Sequence, residues 1–211
     1  VTQASDGIPQ GSATRRGQVR REQIVTAATA LFHRNGFHAT GIDDIGAAAG
    51  ITGPGIYRHF SSKDEILMVV FDRIWLILRD SIQAAALLPP REALELLVET
   101  HVGFVVDHRA ATTLLLHELR SLPEDYQVKA RRNDVTYQDA WAMAIVACNP
   151  HLGLDDARIV ARSCFWLINS FDDDSDAGRV PPDRAKELLT SMTNGVLTSL
   201  NAVNADVGRS Q

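Results

Sequence analysis

Apolar residues along this chain recur at three- and four-residue intervals, and strict alternation of apolar with polar residues is nearly absent. The pattern predicts helices over about 16–35, 42–49, 52–60, 62–88, 91–107, 110–121, 123–147, 155–171 and 182–203. That is an all-α fold of about nine helices with no sheet. The first helix has an apolar stripe of Ile24, Ala27, Ala28, Leu31 and Phe32, and Gly36 is placed to end it. Thr40 is expected to cap the second helix, with Asp43 in its first turn, and Gly50 stops it. Thr52 caps the third, where Pro54 in the first turn costs no hydrogen bond. Ser62 followed by Glu65 has capping-box spacing, and Pro89-Pro90 ends the long fourth helix.

The second and third helices are joined through Ala49-Gly50-Ile51-Thr52, a glycine-containing turn of helix-turn-helix length. In that arrangement the second helix of the pair enters the major groove of DNA. The small residues Gly53, Pro54 and Gly55 would let the helix start come close to phosphate, where unpaired N–H groups favour an anion. Ile56 and Phe60, four apart, are expected to anchor inward, leaving Tyr57, Arg58 and His59 outward or sideways. Tyr57 and His59 suit phosphate oxygens, Arg58 suits phosphate or a guanine edge, and Lys63 would complete a phosphate clamp.

Charge sharpens this picture. The net charge is −5, but between Arg15 and Lys63 there are seven basic residues against three acidic ones. From Asp64 onward there are fourteen against twenty-two. A basic head on an acidic body is the asymmetry expected where one end meets phosphate.

Residues 20–67 resemble the TetR family of bacterial transcriptional regulators. The match runs through Arg21, Ile24 to Phe32, Gly36-Phe37-His38-Ala39-Thr40 and Ile42-Asp43-Asp44-Ile45-Gly46-Ala47-Ala48-Ala49-Gly50-Ile51. It continues through Thr52-Gly53-Pro54-Gly55-Ile56-Tyr57-Arg58-His59-Phe60 and Ser61-Ser62-Lys63-Asp64-Glu65-Ile66-Leu67. Gly55 is a minor variation, where small residues such as Ala or Ser are common. The expected DNA-contact set is Arg21, Thr40, Thr52, Gly53, Pro54, Gly55, Tyr57, Arg58, His59 and Lys63. The resemblance implies a head over 17–63 and a divergent ligand-binding and dimerisation domain over 64–204. Tails are expected at 1–16 and 205–211. It further implies a homodimer joined through the last two long helices, double-stranded operator DNA as partner and a small-molecule effector.

The apolar character of residues 155–171 (Ile159, Val160, Phe165, Leu167, Ile168) suits burial on more than one side. Leu188, Leu189, Met192, Val196 and Leu200 form a stripe on the last helix. Candidate ligand contacts are Trp75, His101, Phe104, His108, Trp141, Phe165, Trp166 and Asn169, which point to a hydrophobic ligand. No zinc spacing is present, and the run at 172–176 lacks the glycine and glutamate of a calcium loop, so neither metal nor cofactor is expected. Cys148 and Cys164 read as packing residues. The polar N-terminus and the lack of a long apolar run point to a cytoplasmic protein without a membrane span. No nucleophile–base, phosphate-loop or paired-carboxylate signature suggests an enzyme. Repression with release by ligand leads; activation, a ligand-independent DNA binder and an all-α enzyme or carrier with a vestigial head stay open.

Overall fold

A computed structural model describes residues 10–171 and 180–207, with side chains over 15–171 and 180–200. Among the described residues there are nine α-helices and no strand. They are α1 (Gln10–Asn35), α2 (Ile42–Ala48), α3 (Gly53–Ile56), α4 (Lys63–Ala85), α5 (Pro90–Asp107), α6 (Arg109–Glu118), α7 (Glu124–Cys148), α8 (Leu154–Asn169) and α9 (Pro182–Val207). A 3-10 turn at Leu119–Ser121 follows α6. The chain divides into two units, Val1–Phe71 and Asp72–Gln211, with the boundary inside α4. The first helix begins six residues before the expected start. The third keeps one helical turn and continues as a turn to His59. The acidic run at 172–176 lies outside the described residues.

The first unit is built on the expected stripe of α1. Ile24, Ala28, Leu31 and Phe32 are buried with Phe37, Ile45 of α2, Ile56 of α3, Phe60, and Ile66 and Leu67 of α4. Gly36 ends α1 at φ +84°, and its N–H bonds the Phe32 carbonyl at 2.9 Å. That conformation is open to glycine at no steric cost.

In the second unit α5 is the central helix. Leu97, Val98, His101, Val102 and Val105 are all buried, and α6, α7, α8 and α9 each pack on it. Along α8 the fully buried positions are Ala157, Ala161, Cys164 and Ile168. Small residues at this spacing let α7 approach closely with Trp141, Ala142 and Ile145, and among the described residues this is the most extensive helix pair. Around the core, Arg158 joins α8 to Asp139 of α7 at 2.9 Å, and Lys186 joins α9 to Asp107 at 2.7 Å. Asp72 of α4 accepts from Lys129 at 2.8 Å and from the Tyr126 hydroxyl at 3.0 Å.

The stripe expected on α9 divides between the core and the outward face. Ala185, Leu189, Thr193 and Leu197 face the core, whereas Leu188 and Met192 are exposed. Ile159 of α8 is exposed as well, so within one chain α8 is buried along one face only. Both cysteines are free; Cys164 is buried, which pushes its thiol up to about 11, and Cys148 is half-buried.

Candidate nucleic-acid interface and ligand cavity

The turn between α2 and α3 is fixed by local chemistry. Gly50 has φ +69°, its N–H bonds the Ala47 carbonyl at 3.2 Å, and the Ile51 N–H bonds the Gly46 carbonyl at 2.9 Å. This pair of bonds around a left-handed residue is the Schellman motif. Thr52 then caps α3, its Oγ1 accepting from the Gly55 N–H at 3.2 Å. Ser62 Oγ accepts from the Glu65 N–H at 3.1 Å at the start of α4. The Glu65 carboxylate reaches back to Ser61, accepting from its N–H at 2.6 Å and its hydroxyl at 2.8 Å. Those bonds, with Arg21 nearby, hold the Glu65 carboxyl below its ordinary pKa.

Several residues expected at DNA have other contacts. Thr40 is buried and does not cap α2. Its hydroxyl donates to the carbonyls of Gly36 at 2.8 Å and Leu31 at 3.3 Å, and Gly41 takes the cap position, its N–H bonding Asp44 at 2.9 Å. Gly53 is buried too. A Cβ there would lie 1.8 Å from Asp43 Oδ1, so its smallness admits the Asp43 side chain. Lys63 Nζ donates to the carbonyls of Phe37 (2.7 Å), Thr40 (2.9 Å) and His38 (3.4 Å), and so ties down the loop between α1 and α2. Arg21 donates to the His59 carbonyl, pairs with Glu65 at 3.3 Å and lies over the Phe60 ring. It braces the chain where α3 hands over to α4.

What faces outward is compact. Thr52, Pro54, Tyr57 and Arg58 are exposed, Gly55 and His59 partly so, while Ile56 and Phe60 are anchored in the core. Gly46 was not among the expected site residues. A Cβ there would stand 2.9 Å from the Gly53 nitrogen, 3.0 Å from the Ile51 carbonyl oxygen and 3.1 Å from the Thr52 carbonyl carbon. A glycine inside a short helix, unfavourable by roughly 0.5–1 kcal/mol against alanine, was the available signal.

In the second unit a cavity of about 390 Å³ opens among α4, α5, α6, α7 and α8. It gathers six of the expected residues: Trp75 of α4, His101 and Phe104 of α5, and Phe165, Trp166 and Asn169 of α8. His108 and Trp141 are not on its wall. His108 ends α5, where it is exposed and stacks on Phe104, and Trp141 is fully buried behind His101 and Phe165. Not foreseen were Ile74 and Leu78 of α4, Thr112, Leu115 and Leu116 of α6, Asp134, Tyr137 and Gln138 of α7, and Arg162 of α8. His101 is enclosed by the rings of Tyr137, Trp141 and Phe165, with centroids 5.7, 6.0 and 4.9 Å away. Burial pushes its imidazole down to about 4 and raises the Tyr137 phenol.

Comparison with known proteins assigns both units. The family model for bacterial regulatory proteins of the tetR family matches residues 24–70, and the tetracyclin repressor-like C-terminal domain matches residues 87–173. The chain belongs to the TetR family. The head of this TetR-family chain is 44% identical over 54 residues to the HTH-type transcriptional activator FasR of Mycolicibacterium smegmatis, covering 26% of this chain and 25% of FasR. The HTH-type transcriptional repressor KstR2 of Mycobacterium tuberculosis is 32% identical over 112 residues, 50% of this chain and 55% of KstR2. The chain thus spans between a quarter and about half the length of these curated relatives. The regulator FadR from Bacillus subtilis, solved in complex with stearoyl-CoA, shares the fold. Its TM-score is 0.64 at 18% identity, over 85% of this chain and 96% of that one.

Proposed function

We propose that this TetR-family chain is a transcriptional repressor that binds a palindromic operator as a homodimer and is released by a small hydrophobic ligand. The observation that carries the reading is the head: a Schellman turn seats a one-turn helix, and Tyr57 and Arg58 project from its far end. Arg58 reads bases, and Tyr57, His59 and the start of α3 position the phosphates. Arg58→Ala is expected to cost about 1–3 kcal/mol at one base position and to relax specificity there. Fluorescence anisotropy with operator duplexes varied one base at a time checks this; uniform weakening across all bases would make Arg58 a phosphate contact. A promoter-fusion reporter separates repression, as named for KstR2, from activation, as named for FasR.

The dimer accounts for the outward face of α8 and α9. Ile159 (54% exposed), Trp166 (77%) and Met192 (54%) are large apolar side chains left in solvent by a single chain. A second copy would cover them, and two-fold symmetry would match a palindromic site. Ile159→Asp is expected to leave the fold intact, because Ile159 is more exposed than buried in a single chain, and to convert dimer to monomer in sedimentation velocity. Operator affinity should fall with it.

The effector half rests on the cavity. Its volume and apolar walls suit a small ligand, and the fold neighbour FadR is named with an acyl-CoA. α4 carries Ile74, Trp75 and Leu78 of the cavity wall and begins at Lys63 in the head. A ligand that prefers one arrangement of α4 shifts the population of DNA-competent dimers by that preference and no more. This role makes the chain a regulator rather than an enzyme and places it in the cytoplasm. Among the described residues no helix is long and apolar enough to cross a membrane.

A further inference from the structure

The cavity has one chemical feature that its apolar walls do not explain. Both ring nitrogens of His101 are shielded from solvent and have no hydrogen-bond partner, and the same holds for Trp75 Nε1. An unpaired buried donor or acceptor lowers stability, and a leucine or phenylalanine would fill the same space without that cost. His101 is held among uncharged rings, so its imidazole is neutral and offers one donor and one acceptor. The charged groups lining the cavity are a single acid, Asp134, which accepts from Gln138 at 2.8 Å, and a single base, Arg162. No excess positive charge is present to receive an anion.

We propose that the cavity takes a neutral, largely apolar ligand carrying one carbonyl or hydroxyl oxygen, which docks on His101 with the Trp75 indole N–H as second donor. The inference rests on the reading of this cavity as the effector site. Docking requires a turn of the imidazole about χ2, a broad torsion, to present a nitrogen to the ligand. The ligand oxygen then answers a polar group that the chain itself leaves unpaired, while its hydrocarbon body lies against Ile74, Leu78, Phe104 and Phe165. A carboxylate held on His101 would stand among the uncharged rings of Tyr137, Trp141 and Phe165, and the one base on the cavity wall, Arg162, is matched there by Asp134, so its desolvation costs more than the hydrogen bonds return.

Three probes of one ring skeleton test this: fluorene, 9-fluorenone and fluorene-9-carboxylate. Binding to the full chain is followed by tryptophan fluorescence and calorimetry at neutral pH, with His101→Leu and His101→Gln alongside. The ketone is expected to bind about tenfold more tightly than the hydrocarbon, the worth of one hydrogen bond, and the carboxylate more weakly than the ketone. His101→Leu should erase the ketone's advantage over fluorene, and His101→Gln should keep part of it. Without ligand, His101→Leu should melt at or above the wild-type temperature, which a histidine serving only structure would not do. Equal binding of ketone and hydrocarbon, tightest binding of the carboxylate, an unchanged ketone preference in His101→Leu, or loss of folding in that variant would each overturn the inference and leave the effector reading standing. If none of the three probes binds, the effector reading and the inference fall together.

Discussion

Gly46→Ala is expected to weaken operator binding by roughly 5- to 150-fold, through strain of about 1–3 kcal/mol in the head. The added methyl would meet three backbone atoms of the turn and of α3 at 2.9 to 3.1 Å, and backbone cannot swing aside as a side chain can. Relief requires α2 and α3 to part, which moves Tyr57 and Arg58 from their places. Gly55→Ala makes the contrast: its methyl meets only side-chain atoms, the nearest being Thr52 Oγ1 at 3.2 Å. It should change stability and affinity little. Urea unfolding and operator anisotropy on both variants check the pair. Wild-type affinity in Gly46→Ala would show that the close approach of the two helices does not matter.

Stability is expected to fall steeply as pH drops from about 6.5 to about 4, and His101 is the main source. Its folded-state pKa of about 4 lies below the ordinary 6.5 because burial disfavours the charged ring. Between those values the unfolded chain binds a proton at this position and the folded chain does not. The stabilisation is therefore complete above 6.5 and lost as pH falls toward 4. At about 1.4 kcal/mol per unit the loss amounts to roughly 3 kcal/mol. The titratable and charged groups lining the cavity beside His101 are Tyr137 and Asp134 of α7 and Arg162 of α8. They are common to wild type and His101→Leu and cancel in the difference, as does the acid-labile Glu65 of the head. Urea midpoints measured from pH 7 downward should draw apart, with His101→Leu losing less. Parallel curves would show that His101 takes up its proton in the folded state without penalty.

Much of the head was legible in the sequence because its conformation is set by neighbours a few residues apart. Gly36, Gly50, Thr52 and Ser62 each act through bonds spanning five residues or fewer. The contacts that could not be read there depend on partners farther off in the chain. Arg21 acts on His59, 38 residues on, and Lys63 on Phe37, 26 residues back. Thr40 and Gly53 turned inward for the same reason: their surroundings come from α1 and from Asp43. In the second unit the spacing identified helices but not their rotation. Nothing in the sequence distinguishes Trp75, on the cavity wall, from Trp141 behind it. The α9 stripe shows the same limit: Leu188 and Leu189 are adjacent and equally apolar, and only packing on α5 and α8 decides that Leu189 turns inward.

The most direct test of the whole account is a selection of genomic fragments by the purified protein at a stated salt concentration. The head, its basic balance and the exposed face of α8 and α9 predict enrichment of a palindromic motif whose half-sites are separated by about one helical turn or a multiple of it. Binding that never rises above the non-specific background would contradict the claim that this head reads sequence.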